Sequence, residues 1–519
     1  MEDQKRRFDS LKESISEQGK LISPGALLKR AALLWPDRKA LICGDESVTF
    51  EQLFWRACVV ATELVKYSFK QGAPVLVFYE NSIDFYVAYY AVWLAGCVVV
   101  PLNVFLQDEE LRHIVSDAQP LAAFVSAALH DRLRQLAPHL ISISVEDFLS
   151  CTRLCEESSF AGLSLDGDAL AALLYTSGTT GLPKGVMLSA NGLLTNAMQA
   201  VTTLDLGAHE VVLAALPLFH SYMQNTCVWS PLLIGATVII VPKITRRSIV
   251  EALAERPTAV LGIPQLFGLF CKLRDLDFSS VKFCFCGGDA LHKPIKRMFE
   301  LIYGRRLVNG YGLTEMGPLV AVNLFDGETP EYCVGMPVYG VTVVILDEHG
   351  QLVEDGSIGT VWVSGENMMM GYYKAPAATS AIMHENWLNT GDLGWITSEG
   401  RLVISGRIKD LIIRKGINIY PQEIEAVLSR YPGVLQVAVV GVLLGDEEIP
   451  CAFIMIDGDE GSSAYSELSL RSYCSDRLAF YKIPHWFIIK RSLPVTSTGK
   501  IDKKILRAEA LEIVAKQKE

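Results

Sequence analysis

Apolar positions along the chain fall into two textures. From about Ser23 to Ala123, and again from Ala169 to about Arg306, stretches with helical spacing alternate with short unbroken apolar runs. The spacing predicts a helix around Phe50–Tyr67 and strands at Val75–Tyr79 and Ala171–Leu174. Helices alternating with continuously apolar strands argue for parallel sheets covered on both faces. From Val334 to Ile404 the runs shorten and Gly/Asp turns separate them, as in Val341–Leu346 and Gly359–Val363. That texture predicts antiparallel or barrel-like pairing. A charged stretch, Gly406–Asp410, then leads into a small α+β unit with a helix over Gln422–Tyr431 and a strand over Val434–Val442. The last dozen residues read as a fraying helix, and Asp457–Ser463 as a surface loop.

The longest apolar stretch, Phe85 to Leu102, approaches the length of a membrane span. Gly96 and Pro101 divide it into a helical part, Ala88–Ala95, and a strand, Cys97–Val100. A helix and strand inside a large core are expected, and Met1–Lys20 is too charged for a secretory signal. Half of the 519 residues are apolar and 20% are charged, enough for a sizeable core. The net charge of -11 argues against non-specific nucleic-acid binding, which needs clustered Lys and Arg. The twelve cysteines show no metal-site spacing and read as reduced, buried thiols. A cytoplasmic protein is expected, with peripheral membrane contact left open.

Chemistry enters at Tyr175-Thr-Ser-Gly-Thr-Thr-Gly-Leu-Pro-Lys-Gly-Val186. A strand runs straight into small hydroxyl and glycine residues. Glycines let a backbone approach a polyanion, and successive N–H groups can line an anion-binding concavity. Gly178, Gly181 and Lys184 are spaced by threes, which is not the Walker A order. Five further segments follow. They are Leu216-Pro-Leu-Phe-His-Ser-Tyr222, Phe285-Cys-Gly-Gly-Asp-Ala290, Asn309-Gly-Tyr-Gly-Leu-Thr-Glu315, Trp387-Leu-Asn-Thr-Gly-Asp392 and Pro494-Val-Thr-Ser-Thr-Gly-Lys500. Gly406-Arg-Ile-Lys-Asp410, continuing to Lys415-Gly-Ile-Asn-Ile-Tyr-Pro421, precedes the last of them.

In this order the segments resemble the motifs of the adenylate-forming superfamily, over about residues 25 to 505. The resemblance implies an α/β fold. It would have a large N-terminal domain, 1–405, of parallel-type sheets covered by helices plus a β-rich barrel-like subdomain. A hinge at 406–410, pivoting on Lys409, would join it to a small mobile α+β lid, 411–519. It implies MgATP held by Thr176, Ser177, Gly178, Thr179, Thr180 and Lys184 at the phosphates. Gly287, Gly288, Asp289, Asn309, Tyr311 and Gly312 would lie around adenine. Thr314 would donate to the α-phosphate and Glu315 would bind Mg²⁺. Asp392 would take the ribose, since a carboxylate can accept both hydroxyls, and Arg407 would donate to ribose or phosphate oxygens. Lys500 would reach the carboxylate and α-phosphate during adenylation, and His220 would gate the acyl site. Gly416 would leave room for the arm of coenzyme A.

The Leu216–Tyr222 segment offers no carboxylate for a substrate ammonium, which disfavours amino acids. Trp229, Leu261, Ile263 and Phe267 as pocket residues suggest a medium- or long-chain fatty acid. The expected activity is therefore acid–thiol ligation through an acyl-adenylate, ending on coenzyme A. Alternatives are transfer to acyl carrier protein, a luciferase-like oxidation, and a catalytically inactive nucleotide-binding protein.

Overall fold

The computed structural model describes all residues except 1, 68–69, 152–156, 158–162, 177–181, 326, 416, 445–446, 457–464, 497–499 and 517–519. The apolar runs of the first texture became two sheets. In one, Pro74–Phe78, Val98–Pro101, Ala122–Val125 and Ile141–Ile143 run parallel. Leu170–Thr176 joins them in parallel and then turns back as Lys184–Ser189. The second sheet has a parallel centre that includes Val211–Ala214, Ala259–Gly262, Phe283–Cys286 and Arg306–Gly312. The strands of the second texture continue that sheet in antiparallel order, through Leu319–Asn323, Cys333–Pro337, Leu402–Arg407 and Trp387–Ile396, and are no shorter than those of the parallel centre.

The long apolar stretch is a helix, Ile83–Leu94, and the strand Val98–Pro101. Ser82 caps the helix by accepting from Phe85 N. Every helical residue but Asp84 is buried, as continuous hydrophobicity requires of a helix with neighbours all round. Its tyrosines find acceptors in that interior: Tyr86 and Tyr90 donate to the carbonyls of Cys227 and Val228. No helix among the described residues is long and apolar enough to cross a membrane.

The small C-terminal unit is built on Val434–Leu444, Glu447–Ile456 and Trp486–Lys490. Strand period two sends Val437, Val439, Ala452 and Ile454 to a core with Ile424 and Leu428, while Ala438, Val440, Cys451 and Phe453 face Leu506 and Ala510. The unit touches the large region through Arg430, paired with Glu331 at 2.9 Å, and through Tyr332 Oη, which donates to Gln422 O at 3.4 Å.

One expectation about cysteine fails. Among the described residues, nine cysteines are free thiols, eight of them buried, but Cys58 is disulfide-bonded. It lies with no exposed surface on the helix Phe50–Val65. Isolated cysteines give no spacing signal for a bond made by tertiary packing. The Asp457–Ser463 loop lies outside the described residues.

Candidate active site

The two sheets and the small unit converge where strands of the second sheet end. Asp392 sits within the strand Trp387–Ile396 and pairs in register with Arg407, the last residue of Leu402–Arg407. Its position is set locally. Asn389 Oδ1 accepts from Gly391 N, and Thr390 Oγ1 accepts from Asp392 N while donating to Val361 O. Gly391 has φ +72°, a left-handed conformation that glycine adopts without strain. Asp392 is 7% exposed. Its Oδ2 accepts from Tyr311 Oη at 2.5 Å, and Oδ1 lies 3.3 Å from Arg407 Nε. Burial pushes its carboxyl above the ordinary range, and Arg407 and Tyr311 pull it back. A carboxylate has about four acceptor positions. Two are used here, leaving capacity for a diol.

Tyr311 and Gly312 end the strand Arg306–Gly312. A Cβ at Gly312 would fall 2.2 Å from Pro318 O, so the chain there closes onto itself only as glycine. Thr314 and Glu315 follow in a single 3₁₀ turn, Thr314–Met316. Asn309 donates through Nδ2 to Cys333 O at 2.9 Å and ties two strands together. Gly287, Gly288 and Asp289 follow the strand Phe283–Cys286, and Asp289 Oδ2 accepts from Gln265 Nε2 at 3.2 Å. Thr176 and Lys184 pair across the base of the Ser/Thr/Gly hairpin. Ser177, Gly178, Thr179 and Thr180 lie outside the described residues, as does Gly416. Lys184 Nζ stands 5.4 Å from the Tyr372 ring centre, and Tyr372 Oη donates to Glu315 Oε1 at 2.7 Å.

Lys500 reaches into this cleft from the small unit. Burial and the field of Arg407 hold its ammonium below its ordinary pKa, against the opposing carboxylates of Asp289, Asp392 and Glu315. His220 caps the turn that begins at Ser221, its Nδ1 accepting from Tyr222 N at 3.3 Å. Burial, then Lys500, lowers its pKa to about 3, so near neutrality it is an uncharged imidazole. Lys409 lies in the 3₁₀ turn Ile408–Asp410, directly after Arg407, and is exposed.

The acyl-side expectation is altered. Trp229 and Phe267 have no exposed surface. Trp229 Nε1 donates to Tyr89 Oη at 3.0 Å, which donates to Gln224 Oε1 at 2.8 Å. Phe267 packs edge-on against Phe270 and Phe299. Both are core here, with neighbours on every side. Only Ile263 of the four keeps substantial surface.

The AMP-binding enzyme family matches residues 28–373, and the AMP-binding enzyme C-terminal domain matches 423–500. The chain belongs to the AMP-binding enzyme family. It is 30% identical over 529 residues to a long-chain-fatty-acid–CoA ligase of Escherichia coli, covering 93% of this chain and 94% of that one. It is also 30% identical over 494 residues to a sulfoacetate–CoA ligase of Cupriavidus necator, covering 92% and 96%. Among solved structures, ATP-bound MatB from Rhodopseudomonas palustris superposes with a TM-score of 0.86 at 28% identity, over 95% of this chain and 100% of that one. Apo MatB gives 0.76 with the same coverage. MenE from Bacillus subtilis in complex with ATP and magnesium ion gives 0.82 at 27% identity, over 93% and 98%. Within the family the chain is an AMP-forming acyl-CoA ligase, and ATP and coenzyme A are used across that family.

Sequence reasoning did not single out Ser221, Asn367 or Tyr372, although each touches the Thr314–Met316 turn. Tyr372 follows Gly371 in a two-residue strand, and no local pattern signals its contact with a residue 57 positions away.

Proposed function

We propose that the enzyme activates a carboxylic acid with an apolar body, most simply a medium- or long-chain fatty acid, and passes the acyl group to coenzyme A. The observation that carries this reading is the convergence of Lys500 with Asp392, Arg407, Glu315 and His220, groups drawn from both parts of the chain. The higher superposition with ATP-bound than with apo MatB supports taking this arrangement as the one that forms the adenylate.

The first step joins two anions, so its barrier is electrostatic. The substrate carboxylate oxygen attacks the α-phosphorus of ATP and pyrophosphate leaves, giving acyl-AMP. Asp392 and Arg407 hold the ribose, and Tyr311 covers adenine. Lys500 and Thr314 place positive charge and a donor where charge gathers at the α-phosphate. His220, uncharged, borders the carboxylate without repelling Lys500. Glu315 would hold Mg²⁺, whose bound charge offsets that of the phosphate oxygens. One carboxylate is a sufficient protein donor for an ion that keeps waters and phosphates as its other ligands. In the second step the thiol attacks the acyl carbon, AMP leaves, and the thiol proton is released. We assign the turn between the steps to Lys409, between a large domain at 1–405 and a lid at 411–519.

The substrate class rests on what faces the acyl side. Leu216–Tyr222 carries no carboxylate to match an ammonium, and Ile263, the pocket candidate that keeps surface, is apolar. The test is pyrophosphate release with a panel of aliphatic, aromatic, amino and sulfonated acids, with coenzyme A, with acyl carrier protein, and with neither. Fatty acids should give the fastest release, and thioester should form on coenzyme A. Faster release with amino acids or sulfoacetate would refute the substrate class. Thioester on the carrier protein alone would reassign the acceptor.

A further inference from the structure

The Thr314–Met316 turn is held at three consecutive residues by two segments of the chain, the turn at Ser221 and residues 367–372. Thr314 Oγ1 and Ser221 Oγ share a hydrogen bond of 3.0 Å, and Ser221 is 3% exposed. Glu315 Oε1 accepts from Tyr372 Oη at 2.7 Å, and its carbonyl accepts from Met369 N at 2.8 Å. Met316 O accepts from Asn367 Nδ2 at 2.6 Å, and Asn367 has no exposed surface. Asn225 and Asn196 brace the next residues, donating to Gly317 O and accepting from Leu319 N. A single 3₁₀ turn has almost no ladder of its own, so these outside contacts fix its geometry.

Two of the contacts decide how the turn presents its functional groups. A threonine hydroxyl has one proton. For Thr314 to donate it to a phosphate oxygen, the bond to Ser221 must run from Ser221 Oγ–H to Thr314 Oγ1. Ser221 thereby removes the rotor position in which Thr314 would donate into the protein. Tyr372 occupies Oε1 of Glu315 and leaves Oε2 to face the nucleotide. Its ring also stands under the Lys184 ammonium, so the phosphate-loop cation meets an aromatic face rather than the Glu315 carboxylate.

We propose that Ser221 and Tyr372 are positioning residues with separate tasks. Ser221 sets the direction in which Thr314 donates. Tyr372 aims one oxygen of Glu315 at the nucleotide's divalent cation and keeps Lys184 from neutralising it. The proposal rests on the nucleotide-binding reading of Thr314 and Glu315.

The test uses the full-length enzyme and the variants Ser221→Ala, Ser221→Thr and Tyr372→Phe, with Thr314→Val and Glu315→Gln as references. Three quantities are measured: adenylation rate against ATP and free Mg²⁺, calorimetric ATP binding without acid in the presence and absence of Mg²⁺, and thermal unfolding. Ser221→Ala should lower adenylation kcat about 3- to 10-fold, the worth of one hydrogen bond. It should leave the KM for MgATP and the Mg²⁺ requirement unchanged, and Ser221→Thr should recover most of the rate. Tyr372→Phe should raise the Mg²⁺ concentration for half-maximal rate about 10-fold, as loss of a ligand's supporting bond does. It should shrink the gain in ATP affinity that Mg²⁺ confers and leave metal-free ATP binding as it was.

A Ser221→Ala enzyme at wild-type rate, beside an impaired Thr314→Val, overturns the role of Ser221. An unchanged Mg²⁺ requirement in Tyr372→Phe, beside an altered one in Glu315→Gln, overturns that of Tyr372. A lowered unfolding temperature with adenylation rate and metal-free ATP binding falling together, and no recovery in Ser221→Thr, reduces both residues to structural support and overturns the proposal. Full activity of both reference variants would remove the nucleotide-binding reading and this proposal with it.

Discussion

On the function proposed above, the nucleotide side and the acyl side of the cleft are built on opposite plans. The nucleotide side is polar and drawn from strand ends: Tyr311, Asp392 and Arg407 are locked to one another, with Lys500 arriving from the small unit. The acyl side is a packed interior in which Trp229 and Phe267 have no surface and polar groups such as Gln224 are satisfied internally. The acid differs among relatives, and a ligase for long-chain fatty acids and one for sulfoacetate stand at the same 30% identity to this chain. The difference teaches that family membership determines the adenylation chemistry here, while selectivity depends on how a core is filled.

That contrast can be broken at several points. The largest effect is expected on the acyl side. If Trp229 is core, Trp229→Ala should destabilise the protein by about 3–5 kcal/mol, read by denaturant unfolding, and leave ATP binding intact. A stable variant with a shifted chain-length profile would instead make Trp229 a pocket wall. On the nucleotide side, Lys500→Ala should lower acyl-AMP formation by about 10²–10³-fold. It should spare conversion of supplied acyl-AMP and coenzyme A to thioester; equal loss of both half-reactions would refute two lid positions. Asp392→Ala should weaken ATP binding by about 1.5–3 kcal/mol, measured by calorimetry, and unchanged affinity would take Asp392 out of the site. Lys409→Pro, which fixes φ near about -65°, should slow thioester formation several-fold more than adenylation. The smallest effect belongs to the contact between the two parts. Arg430 is half exposed, so its pair with Glu331 is worth at most about 1 kcal/mol. Arg430→Ala should therefore shift the balance of half-reactions by no more than about 5-fold, and a larger shift would make this contact a true latch.

How legible each part was in the sequence follows from the same contrast. The division of Phe85–Leu102 into helix and strand was readable because Gly96 and Pro101 punctuate it. The helix and first strand of the small unit were readable because a helical stretch gives way to an unbroken apolar run, and that run is buried on both faces between two cores. Asp392, Arg407 and Lys500 stand in short ordered motifs, and the fold brings them together. Asn309 stood in such a motif too, and its amide ties two strands together, a contact that spacing cannot reveal. Ser221, Asn367 and Tyr372 act across 51 to 93 positions on one turn, and no local pattern encodes such contacts. Trp229 and Phe267 were misplaced because apolar residues read alike whether they line a pocket or fill a core. The disulfide of Cys58 escaped for a similar reason, since one cysteine on a buried helix has no spacing to report.

The register of Arg407 against Asp392 has a bearing on timing. The strand proposed to clasp the ribose ends at Arg407, and the 3₁₀ turn carrying Lys409 begins with the next residue. On the pivot assigned above, rotation starts just beyond the clasp, so the lid can swing without loosening Asp392 from Tyr311 or from its own strand. The nucleotide is then gripped by a part that stays still while the other part exchanges one reacting group for the next. AMP should accordingly outlast pyrophosphate and thioester on the enzyme, and its departure, rather than bond formation, becomes the event that resets the cycle.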